Sequence, residues 1–174
     1  MPSPREMERR YATELRAIGR ELIGHAAVWD QPARIENRFT ETVRRGSFRA
    51  TLAAGDDVAM LVDHDGSKLL GRTASGTLQL REDAHGLAFT CQLPATQLAE
   101  DVLELTRRGD IRACSFGFTV PPGGDRWPAP DRRELLNVQL AECSIIHFRA
   151  AYAGTSVAAR GLSVRAARLR LALI

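Results

Sequence analysis

The chain has 174 residues, 44% of them apolar and 26% charged, which is enough for one domain with a real core plus some tail. Its net charge of +3 is carried almost wholly by arginine, with Lys68 the single lysine, and gives no basis for specific nucleic-acid binding. No apolar run approaches the ~18 residues of a membrane span. Cys91, Cys114 and Cys143 are odd in number and far apart, which suits buried thiols in a reducing compartment rather than disulfides or a zinc site.

Residues 1–20 are polar, with Pro2 and Pro4, and read as an N-terminal arm with helical character over Met7–Ile18. The segment lacks the apolar centre and small-residue cleavage site of a secretory signal. Leu22–Trp29 is apolar and fits a first buried strand, ended by Asp30-Gln31-Pro32; His25 within it reads as a satisfied core or edge histidine. Arg38–Val43 alternates and reads as a second strand. Ser47 is placed to cap a short helix that runs to Ala54 and is closed by Gly55.

Asp57–His64 reads as a strand whose inner face carries Val58, Met60, Val62 and, at its last position, His64. A turn is expected at Asp65-Gly66-Ser67. From Leu69 to Pro94 the alternation of Leu70, Leu78, Leu80, Leu87, Phe89 and Leu93 predicts a β-meander. Its turns fall at Ser75-Gly76 and Ala84-His85-Gly86, with His85 solvated. Thr96–Arg108 switches to the helical period, with Leu98, Val102 and Leu105 in one stripe, Thr96 as N-cap and Gly109 as terminator.

Ile111–Val120 has two unlike faces at the period of a strand. Cys114, Phe116, Phe118 and Val120 are bulky and apolar, whereas Ala113, Ser115, Gly117 and Thr119 are small. The small face reads either as close packing or as the floor of a cleft with Ser115 at its centre. Pro121–Asp131 follows as a Pro- and Gly-rich loop, equally suited to a flap and to a plain surface hairpin. Arg133–Phe148 reads as a long β region in which Glu142 stands among apolar residues and needs a partner if buried. The basic, partly apolar tail over Gly161–Ile174 reads as a short partner-binding helix or a frayed end.

Ser115, His64 and Glu142, from three separate strands, supply a nucleophile, a base and a carboxylate. A serine hydroxyl attacks only when an imidazole takes its proton, and the imidazole needs a partner on its other nitrogen. Ser47, Ser67, Ser75 and Ser144 compete as nucleophiles. The absence of Gly-x-Ser-x-Gly disfavours an α/β-hydrolase. A cysteine hydrolase built on Cys114 is a weaker reading, because that side chain belongs to the bulky face.

Three ordered segments carry a resemblance. They are Val62-Asp63-His64-Asp65 with Leu70-Gly71-Arg72-Thr73 and Ser75-Gly76-Thr77-Leu78; Arg108-Gly109-Asp110-Ile111 leading into Cys114-Ser115-Phe116-Gly117-Phe118; and Leu140-Ala141-Glu142-Cys143-Ser144-Ile145-Ile146, with Ala150-Ala151-Tyr152 and Thr155-Ser156-Val157-Ala158 after it. Together, from about Ile23 to Arg160, they resemble the prohead serine protease family of tailed bacteriophages, whose relatives also occur in gene transfer agents. Ala-Cys-Ser-Phe stands where Gly-Met-Ser-Phe is more usual.

The resemblance implies a mostly β, α+β fold, a herpesvirus-assemblin-like β-barrel decorated with helices. It divides the chain into an arm (1–20), a protease domain (21–160) and a basic tail (161–174). It implies a serine endopeptidase acting through an acyl-enzyme inside the assembling procapsid, in the bacterial cytoplasm, without cofactor or metal. Its substrates would be the scaffold segment of a major capsid protein or a separate scaffold protein, and its own chain. Ser115 becomes the nucleophile, His64 the base and Glu142 the third member, with His147 the rival because herpesvirus relatives use a second histidine. By strand parity Glu142 and His147 point to opposite faces. The herpesvirus kinship also suggests a homodimer. The alternative is a non-catalytic scaffold or capsid-assembly module of the same fold.

Overall fold

The computed structural model describes residues 6–12, 14–147 and 155–156. In chain order these form β1 (Glu8–Ala12), β2 (Glu14–Ile18), β3 (Glu21–Val28), β4 (Ala33–Ile35), β5 (Phe39–Val43), α1 (Arg49–Ala54), β6 (Ala59–Val62) and β7 (Asp65–Arg72). A single 3-10 turn, Thr73–Ser75, leads to β8 (Leu78–Glu82), β9 (Gly86–Gln92) and α2 (Gln97–Arg108). Then come β10 (Ala113–Thr119), β11 (Asp125–Ala129), β12 (Arg132–Leu135), β13 (Gln139–Ile146) and β14 (Thr155–Ser156). The fold is mostly β with flanking helices, as expected, and none of its described helices is long and apolar enough to cross a membrane.

Hydrogen bonding sorts the strands into three sheets, ordered β1-β10-β13-β6-β7, β2-β3-β9-β8 and β11-β12-β5-β4-β14. All three share one core, in which Met60, Phe116 and Ile145 of the first sheet meet Leu22 and Leu87 of the second and Leu135 of the third. Phe116 stacks on Phe118 at 5.1 Å between ring centroids and meets Phe48 edge-on at 5.4 Å. Each such buried side chain stabilises the fold by roughly 1.5–3 kcal/mol. The bulky face of β10 is therefore a core face, with Cys114, Phe116 and Phe118 almost fully enclosed.

Several expectations are corrected. Among the described residues of Met7–Ile18 no helix forms. The segment makes β1, paired with β10, and β2, paired with β3. Its charged residues are recruited rather than solvated: Arg10 donates to Glu41 (Nε–Oε1 2.5 Å) and to Glu8 (2.6 Å), and Arg133 bonds Glu8, Glu41 and Asp125. Those pairs fasten β1 to β5 and β12, and a buried charge without them would be costly. Ser47 does not cap α1; Phe48 occupies the cap position, and the Ser47 hydroxyl donates to the carbonyls of Arg44 and Leu135.

The meander is split, since β7 belongs to the first sheet and β8 and β9 to the second. The long region over 133–148 also splits, between β12 and β13, because Leu136 and Asn137 turn their amides to the carbonyl of Gly124 (2.8 and 2.9 Å). The Pro- and Gly-rich loop is the hairpin reading: β11 pairs with β12 in the third sheet. Helix α2 keeps its expected ends, with Thr96 capping Ala99 N–H and Gly109 left-handed (φ 81°), although its buried stripe is Ala99, Val102, Leu103 and Thr106. The tail over 161–174 lies outside the described residues.

Candidate active site

Strand β10 lies between β1 and β13, so each residue on its small face has a partner on both sides. Ser115 sits opposite Tyr11 and Ser144, and Gly117 opposite Arg9 and Glu142. Directly opposed residues share a face. The small face of β10 thus forms one surface with Arg9, Tyr11, Glu142 and Ser144. It is not open floor. Ser115 has no solvent exposure, and Gly117 is buried. A Cβ built on Gly117 would lie 2.5 Å from Oε1 of Glu142 and 3.1 Å from its Cδ. Gly117 is small, then, to make room for this chain's own carboxylate.

His64 reaches the same surface from a turn and not from a strand face. Strand β6 ends at Val62 and β7 begins at Asp65, with Val62 and Asp65 paired, so the expected turn at 65–67 falls two residues earlier. Asp63 and His64 are both left-handed, with φ of 52° and 61°. Two such residues in a two-residue hairpin match the twist of the strands, but each conformation costs a non-glycine residue on the order of 1 kcal/mol. Four bonds hold the turn. Asp63 N–H donates to the carbonyl of Ile145 (2.9 Å), and His64 N–H to Oγ of Ser144 (3.2 Å). The Asp63 carboxylate accepts from both the amide and Nδ1 of His147, each at 2.9 Å.

From this turn the His64 ring meets Glu142, with Nδ1 2.5 Å from Oε1. Ser144 Oγ donates to the other oxygen, Oε2, at 2.6 Å. Burial pushes the Glu142 carboxyl up. The hydrogen bonds from His64 and Ser144, with the charges of His64 and of Arg9 (3.7 Å), outweigh it and leave the group below its ordinary value. An ionised carboxylate only accepts, so in the neutral ring it is Nδ1 that carries the proton and Nε2 that presents a lone pair. Nε2 is buried and has no hydrogen-bond partner among the described residues, and the same holds for Oγ of Ser115. The two idle atoms are bracketed by shared neighbours: Tyr11 and Ser144, on either side of Ser115, both touch His64, the former ring to ring at 6.3 Å.

Of the two candidates for third member, Glu142 meets the imidazole of His64, while His147 follows the end of β13 and meets Asp63. Ser144, a competing serine in the sequence, has its hydroxyl committed to Glu142 and to the His64 amide. Cys114 faces the core, and burial pushes its thiol up to about 12, which leaves it inert as a nucleophile. Sequence reasoning missed Arg9, Tyr11, the orienting part of Ser144, and the Asp63–His147 pair. The two-residue step from Glu142 to Ser144 was the available signal for one of them.

A family model of caudovirus prohead serine proteases matches residues 6–168 of the chain. The match starts before Ile23 and so takes in β1 and β2. No curated protein and no solved structure matches it.

Proposed function

The chain belongs to the caudovirus prohead serine protease family, and we propose that it is an active serine endopeptidase with Ser115, His64 and Glu142 as its triad. In this reading Ser115 Oγ attacks the scissile carbonyl while His64 Nε2 takes its proton. Glu142 holds the ring in the required tautomer and stabilises the imidazolium. The proton then passes from Nε2 to the leaving amine, and water, activated by the same nitrogen, releases the acyl group from Ser115.

The observation that carries the reading is the pair of idle buried atoms, Ser115 Oγ and His64 Nε2. A buried polar group without a partner costs about 1–3 kcal/mol, and a non-catalytic capsid-assembly module would get nothing in return. Membership of the family supports a protease role in capsid maturation. Its substrates in this reading are the scaffold segment of the major capsid protein or a separate scaffold, and its own chain, within the procapsid of a phage or gene transfer agent in a bacterial cytoplasm. Because Ser115 is closed to solvent, access has to open before a peptide reaches it. The test is co-expression with the cognate capsid and scaffold proteins. Ser115→Ala is expected to lower cleavage by on the order of 10⁶-fold. Processing that continues undiminished in that variant would sink the assignment.

A further inference from the structure

The second sheet carries a histidine–carboxylate cluster that the proposed protease chemistry does not use. Glu14 on β2 stands opposite His25 on β3, while His85 lies in the turn from β8 to β9. Gly24 brings β2 close, since any Cβ there would overlap the carbonyl of Glu14. Glu14 Oε2 is 2.9 Å from His25 Nδ1, and Glu14 Oε1 is 2.7 Å from His85 Nε2. The two rings meet edge to face at 4.9 Å. The three converging ligand atoms all lie within 4.8 Å of one another.

Behind them sits a second carboxylate. His25 Nε2 is 3.0 Å from Oδ2 of Asp83, whose Oδ1 accepts from the amides of His85 (2.8 Å) and Gly86 (2.9 Å). Trp29, the residue after β3, pins that turn, giving its amide to the carbonyl of His85 and its indole N–H to that of Asp83, both at 3.0 Å. His25 therefore has a carboxylate on each nitrogen, yet a neutral imidazole has one N–H to give. If Nε2–H serves Asp83, the lone pair of Nδ1 faces the oxygen of Glu14, and a cation has to lie between them. A proton would satisfy that one contact. A metal ion would satisfy His25, Glu14 and His85 together.

We propose that Glu14, His25 and His85 form a binding site for a divalent transition-metal ion of the zinc class, with Asp83 as the carboxylate that orients His25. Two imidazoles and one carboxylate are a zinc donor set, and a histidine ligand backed by a carboxylate on its other nitrogen is the usual arrangement. At zinc bond lengths tetrahedral ligand atoms stand about 3.4 Å apart, so the present contacts open by roughly half an ångström. The half-buried Glu14 and exposed His85 side chains have the freedom to do so. Water takes the fourth position. The ion would tie β2, one edge of the second sheet, across β3 to the turn between β8 and β9.

The test is calorimetric titration of the full chain with Zn²⁺ at neutral pH, with Co²⁺ absorption as the report of tetrahedral ligation. One ion per chain is expected, with the melting temperature rising as Zn²⁺ is added. His85→Ala should weaken binding at least about tenfold. Asp83→Asn should weaken it about 10–100-fold. The asparagine keeps the turn's acceptor but offers an N–H to Nε2, which drives the proton onto Nδ1 and blocks the ligand. His147→Ala should bind as the parent does. No bound ion, or equal binding by the parent and His85→Ala, would overturn the proposal.

Discussion

All four histidines of the chain meet carboxylates, but the two clusters on the first and second sheets are built to opposite ends. At His64 one nitrogen is committed to Glu142, and the other is idle, buried and next to an idle hydroxyl's neighbours. At His25 both nitrogens are committed, to Glu14 and Asp83, and the cluster is partly open to water. A carboxylate beside an imidazole is thus no signature of a base. What marks a base is the nitrogen left unsatisfied where water cannot fill the vacancy. The same pairing with both nitrogens engaged makes a donor set, suited to holding an ion and unsuited to shuttling a proton.

The strongest way to break that contrast, short of removing the serine, is Glu142→Gln. The amide would offer its N–H to Nδ1 and shift the proton to Nε2, so His64 would no longer accept from Ser115. A fall in kcat of about 10⁴-fold is expected, with the fold retained. Stability supplies a second readout with a definite sign. The folded carboxyl lies below its ordinary value, so its contribution is present above the unfolded pKa and is lost as pH falls through the folded one. The melting-temperature advantage of the parent over the variant should close on acidification into and below the ordinary carboxylate range. An unchanged kcat would make the His64 pairing no different in kind from that of His25.

A smaller perturbation reaches the same bond without touching a charged group. In Gly117→Ala the new methyl would sit 2.5 Å from Oε1 of Glu142, so the carboxylate must swing off Nδ1. Cleavage should drop about 10²-fold or more, with the circular dichroism spectrum unchanged. Combined with Glu142→Gln the two losses should not add, because both act through one hydrogen bond. Full additivity would mean that Gly117 clears space for something other than Glu142.

The alternation of Cys114, Phe116 and Phe118 against Ser115 and Gly117 made the two faces of β10 legible in the sequence, as did α2 with its cap and terminator. What lay beyond reach came from partners distant in sequence. Arg9 and Tyr11 look like solvated arm residues until β1 is laid beside β10. Glu8 and Arg10 look alike until Glu41 and Arg133 are brought beneath them. His64 stands out in the sequence, but the pattern puts it on the wrong element: Val58, Met60 and Val62 set a parity that extends to His64, and only the left-handed pair Asp63-His64 interrupts it. Neither residue is a glycine, and Asp65-Gly66-Ser67 just after them carries the stronger turn signal. The small face admits a cleft floor as readily as close packing, because sequence shows the room beside a glycine without showing that the chain itself fills it.

His147 offers the finest adjustment of the contrast, since its imidazole neither accepts from the serine nor joins a donor set. It steadies the turn that carries His64. Its ring and its amide both donate to Asp63, and the ring contact is partly exposed, which limits its worth to about 1 kcal/mol at most. His147→Ala keeps the amide bond, so a loss in kcat of about fivefold or less is expected, with KM unmoved. Asp63→Ala should cost more, for it removes both bonds and places alanine where φ is 52°. Asp63→Asn, which tolerates that conformation and still accepts from the amide, should recover most of the difference. The ordering of these three variants separates a positioning effect from simple loss of fold, because melting temperature should follow the backbone cost while kcat follows the placement of His64. If Asp63→Asn were as impaired in kcat as Asp63→Ala, the negative charge facing His147 would matter more than the shape of the turn.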